Sequence, residues 1–142
     1  MAADVGAAVR TFVIAQSSVN TLIGSGASAR MYPDMLPQGS SLPAIAYWRV
    51  STIHDQYLGR LSGMAAARIQ FDCFASTRAG ANALAEALKD CGLMNMRGVY
   101  SGCMIHAVEL DSGQRHYIDA PSDGSDEHRY VSSQDFIFHY QE

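Results

Sequence analysis

The chain has 142 residues, of which 48% are hydrophobic and only 17% charged, and its formal net charge is −4. That length fits one domain with one core, and an acidic balance excludes sequence-independent nucleic-acid binding, which needs clustered Lys and Arg. A charged fraction below the roughly 25% of soluble domains calls for a surface built from Ser, Gln, Asn and Gly or one partly covered by a partner; the second is favoured.

Val5, Val9, Phe12 and Val13 form one apolar stripe and predict a helix over about residues 3–16. Ser18 is the expected cap of a second short turn holding Val19, Leu22 and Ile23, ended by Gly24-Ser25-Gly26. Met31-Tyr32 reads as a brief strand stopped by Pro33, and the prolines and glycine over 33–43 predict a loop. Ala44 to Ile53, rich in Ile, Tyr, Trp, Val and Thr, predicts a strand, and Asp55 to Gly63 a connection. The next strand, over about 64–75, places Ala67, Ile69, Phe71, Cys73 and Ala75 on one face. Arg68, Gln70 and Asp72 fall on the other, the pattern of an antiparallel sheet backed by helices.

Ala81, Leu84, Ala85 and Leu88 recur at helical spacing, with Thr77 as the expected N-cap and Gly92 as the residue just past the end. A strand follows over about 102–110, then a long exposed connection or hairpin extension at about 111–127. Tyr130 to Tyr140 predicts a closing strand with Tyr130, Phe136, Phe138 and Tyr140 on one face. The sum is a single α+β domain over 1–142: a mostly antiparallel sheet with two principal helices packed on one face.

No chemistry-bearing motif emerges. His54, His106, His116, His128 and His139 are scattered without ligand spacing, so no metal is expected. Cys73, Cys91 and Cys103 form no CxxC pair and read as small buried hydrophobes. Asp119, Asp123, Asp126 and Glu127 lack the EF-hand pattern and read as a solvated loop. There is no GxSxG, HExxH or phosphate loop, hence no expected catalytic residue, cofactor or enzyme activity. The N-terminus lacks a basic and an apolar leader region, and no window approaches the roughly 20 apolar residues of a membrane span. The expectation is a soluble protein made in a reducing cytoplasm. Trp48, Tyr57, Leu58 and Leu61 stand at or near a Gly-rich loop, where they serve either as plain core or as anchors of an oligomer or partner interface.

The order of these pieces resembles a known family. A helix leads through Met31-Tyr32-Pro33 and a Pro-containing loop into Leu42-Pro43-Ala44-Ile45-Ala46-Tyr47. The alternating run Ala67 to Ala75, the Ala-rich helix Ala81 to Leu88 and the closing strand Asp135 to Tyr140 follow. Taken together, the chain resembles the tail-completion, or tail-terminator, family of long-tailed bacteriophages and gene transfer agents. The resemblance implies a structural virion protein that forms a ring, typically of six subunits, at the head-proximal end of the tail tube. Such a ring ends tube polymerisation and offers the surface to which the head joins. Implied partners are further copies of the chain, the tail tube protein and a head-completion or connector protein, with DNA passing the lumen without specific binding. Implied locations are the tail or neck of the virion and the host cytoplasm during assembly. The alternatives are another neck protein, such as a head-closure protein, and a small-molecule-binding α+β domain with a deep pocket.

Overall fold

A computed structural model describes residues 4–37, 39–111, 114–119 and 129–142. Helix α1 (Val5–Ile14) starts at Asp4, whose carboxylate accepts the Ala7 N–H at 3.1 Å. Helix α2 (Ser17–Ile23) follows after two residues. Ser18 therefore lies inside its first turn; Gln16 holds the cap position and makes no side-chain capping bond, contrary to the expectation for Ser18. Arg30 ties off the far end, donating to the Leu22 carbonyl at 2.7 Å and to the Pro43 carbonyl at 2.9 Å.

Strand β1 (Met31–Pro33) runs parallel to β2 (Ala44–Tyr57), with Met31 opposite Ile45. Strand β3 (Arg60–Ala75) then returns antiparallel along the whole of β2. The connection expected over 55–63 is thus the outer part of a hairpin, with Gln56 opposite Leu61 and Tyr57 opposite Arg60. Leu58 and Gly59 make its turn, and Gly59 supplies a left-handed φ of 83°. Alternation failed as a signal there because no helix or further strand beyond Glu142 backs that part of the hairpin among the described residues.

Helix α3 (Arg78–Asp90) has the Thr77 cap, whose hydroxyl accepts the Gly80 N–H at 3.0 Å, and ends before Gly92 at φ 93°. Strand β4 (Gly98–Tyr100) and β5 (Cys103–Leu110) form a second hairpin around Ser101-Gly102, both at positive φ. Strand β6 (Arg115–Asp119) pairs with β7 (Arg129–Gln141). The stretch expected as an exposed connection at 111–127 is therefore in part a strand, matching the hairpin extension; Asp123, Asp126 and Glu127 lie outside the described residues.

The sheet order is β1-β2-β3-β7-β5-β4, with β6 on the same edge of β7 as β5, and among the described residues only the β1–β2 pairing is parallel. The fold is α+β, as expected. Residues Ile69, Phe71, Phe136 and Phe138 fill the core beneath the helices, with Phe71 edge-on to Phe136 at 5.6 Å. Gln134 reaches from that face to the Ala85 carbonyl of α3 at 3.0 Å. The opposite face carries no helix among the described residues. At one end the loop residues Leu36 and Leu42 cover Ala46, Phe74 and Val131.

Candidate assembly interface

The helix-free face has three zones, and the strand register assigns them. Beside the Leu36–Leu42 cover lies a polar layer. Arg68 donates from Nε to Asp135 at 2.9 Å and bridges Asp111 at 2.6 Å, while Arg115 reaches the other Asp135 oxygen at 2.9 Å. Asp72 accepts from Gln70 at 3.1 Å and from the Tyr117 hydroxyl at 3.0 Å. Asp72 and Asp135 are only 3% and 4% exposed, yet both are satisfied by the chain's own donors. This layer cements β3, β6 and β7 rather than offering a vacant site.

The second zone is apolar and open. Val99 stands opposite Met104 across β4 and β5, and Met104 stands opposite Gln141, which faces Met64 of β3. Beside this row, Ile53 of β2 faces Ala66. Val99 is 67% exposed and Ile53 72% exposed. Ile53 reaches this face because a bulge between Arg49 and Ser51 reverses the alternation of β2.

The third zone is the end of the β2–β3 hairpin. Strand β7 stops pairing at Met64, and the Glu142 N–H donates to the Gly63 carbonyl. Beyond that point the hairpin is a two-stranded ribbon among the described residues, an arrangement marginal in water by itself. At its tip Leu58 is fully exposed.

Of the four residues singled out as an interface, Trp48 is half-buried and faces Gln70 near the middle of β2. Leu58 lies roughly 30 Å away along the strand, at about 3.3 Å per residue. The backbones of Tyr57 and Leu61 flank the hairpin turn, but their side chains lie outside the described residues. Trp48 and Leu58 therefore do not share one patch. The structure does expose Ile53, Val99 and Met104, which the sequence alone did not single out. For Val99 the signal was a three-residue strand, too short to alternate; for Ile53 it was hidden by the bulge.

Titratable groups do not build a reactive centre among the described residues, where no three His, Cys, Asp or Glu side chains converge. His54 pairs with Glu142 at 2.6 Å and His139 with Glu109 at 2.7 Å, while His128 lies outside the described residues. All three cysteines are buried. Burial raises the Cys73, Cys91 and Cys103 thiols above their ordinary 9.0. They are poor nucleophiles at neutral pH. A half-open depression of about 240 Å³ lies between the start of α1 and the β1–β2 edge, lined by Asp4, Pro33, Asp34, Trp48 and Arg49. It is smaller than ordinary small-molecule sites.

A family model described as tail completion protein gp17 matches residues 7–91, more than half of the chain. The chain belongs to that family. The matched region runs from α1 through the long hairpin to the end of α3 in this tail completion protein. Among solved structures, it is similar to a chain of the virion of a native gene transfer agent particle. The likeness covers 100% of both chains at a TM-score of 0.66 and 16% identity, so it bears on the fold alone. A comparison with curated proteins found no match.

Proposed function

We propose that this tail completion protein is a non-enzymatic virion component that forms a ring at the head-proximal end of the tail tube. Six copies close the ring, cap the tube against further polymerisation and present the surface that receives the filled head. The observation that carries this reading is the family match over residues 7–91. A full-length fold likeness to a chain of a gene transfer agent virion supports it. The distribution of apolar surface supports it further. A closed ring needs a heterologous interface, in which each copy contributes two different patches. The exposed hairpin tip and the open apolar row on the helix-free face are two such patches. Copies are made in the host cytoplasm and end in the neck of the particle, where DNA crosses the lumen without specific contacts.

Electron microscopy of particles produced without this chain tests the proposal. Tubes of irregular and excessive length, unjoined to heads, are the expected result. Tubes of normal length lying beside closed heads would move the protein to head closure, and intact particles would remove it from tail completion altogether.

A further inference from the structure

We infer that the tip of the β2–β3 hairpin docks on the Val99–Met104 row of a second copy, so that each protomer gives one arm and receives one. This rests on the ring reading and specifies its interface. The arm cannot cover its own chain's row. Strand β4 is three strand spacings from β3, about 14 Å across the sheet, and the ribbon points beyond the sheet end. Leu58 therefore finds no apolar partner in cis among the described residues.

The two patches sit toward opposite flanks of the sheet, the arm on the β2 side and the row on the β4 side. A contact between them is heterologous and propagates from copy to copy until the rotation closes. Charge favours a second copy as the occupant. Asp55, at the base of the arm, and Arg97, immediately before β4, are both exposed, and neither forms an ion pair with a described residue. Placing Leu58 against Val99 and Met104 brings an acidic group toward a basic one at the rim, where complementary charge fixes register.

Two experiments test the inference, in isolated protein and in purified tails. The double variant Leu58→Cys/Val99→Cys, oxidised at neutral pH, is expected to give a covalent ladder that reaches the ring's copy number. A mixture of the two single variants should stop at dimers, and the buried native thiols stay out of the reaction. Asp55→Arg and Arg97→Asp are each expected to lose assembly while keeping the far-UV circular dichroism of the folded chain, and the double reversal should regain it. A wild-type ring with no ladder and no regain in the double reversal overturns the docking while leaving the terminator reading intact. Cross-links from the Leu58→Cys thiol to the tube subunit overturn it too.

Discussion

Phe71 is fully buried, and its ring meets Tyr47, Phe136 and Phe138 at 6.4, 5.6 and 6.3 Å. Truncation to alanine removes the centre of that cluster and leaves a cavity that the sheet cannot close. Phe71→Ala should cost about 3–5 kcal/mol, read from urea unfolding midpoints. Asp135 holds Arg68 and Arg115 from a buried position. Because both arginines remain partly in water, Asp135→Ala should cost less, about 1–3 kcal/mol, and Asp135→Asn should recover part of it. The cysteines set an alkaline limit. Their folded-state values are raised, so above the unfolded thiol's ordinary 9.0 the unfolded chain releases protons that the folded chain keeps. Stability should therefore be flat from pH 7 to about 8 and fall as pH rises beyond about 9. A midpoint that rises over that range would contradict the burial of these thiols.

At the scale of elements, what was legible in the sequence was whatever buries a periodic face. Helix α3 announced itself through Ala81, Leu84, Ala85 and Leu88, all buried, and through the Thr77 cap. Replacing Thr77 with alanine should cost about 0.5–2 kcal/mol, measurable as a lowered melting temperature. Strands β3 and β7 were equally plain, since one face of each lies under helices. Strand β4 escaped notice because three residues cannot display a period. Strand β6 was legible only as one of two alternatives, a hairpin extension, because Arg115, His116 and Tyr117 are exposed and look like loop. The outer hairpin reads as a connection for the same reason, since Asp55, Gln56 and Leu58 are exposed and only the Leu58-Gly59 turn marks it. Of the exposed residues in the candidate interface, Leu58 stood out in the sequence, whereas Ile53, Val99 and Met104 did not. Exposure is a property of tertiary placement, and a bulge such as that in β2 moves a residue between faces without any trace in composition.

For the whole molecule, the low charge and the open apolar row fit the proposed covering of this surface by further copies. The helix side of the sheet is a finished core, and the polar layer around Asp135 is satisfied internally. Ile53, Val99, Met104 and Leu58, all left exposed, lie along the rest of the helix-free face and out on the hairpin. These are the parts that a ring of identical chains would bury. The most direct test is solution mass over a concentration series, with imaging of the largest species. A closed assembly of one fixed copy number, alone or seated on tube ends, is the expected result. A chain that stays monomeric at every concentration and on tubes, or that grows without limit, would contradict it.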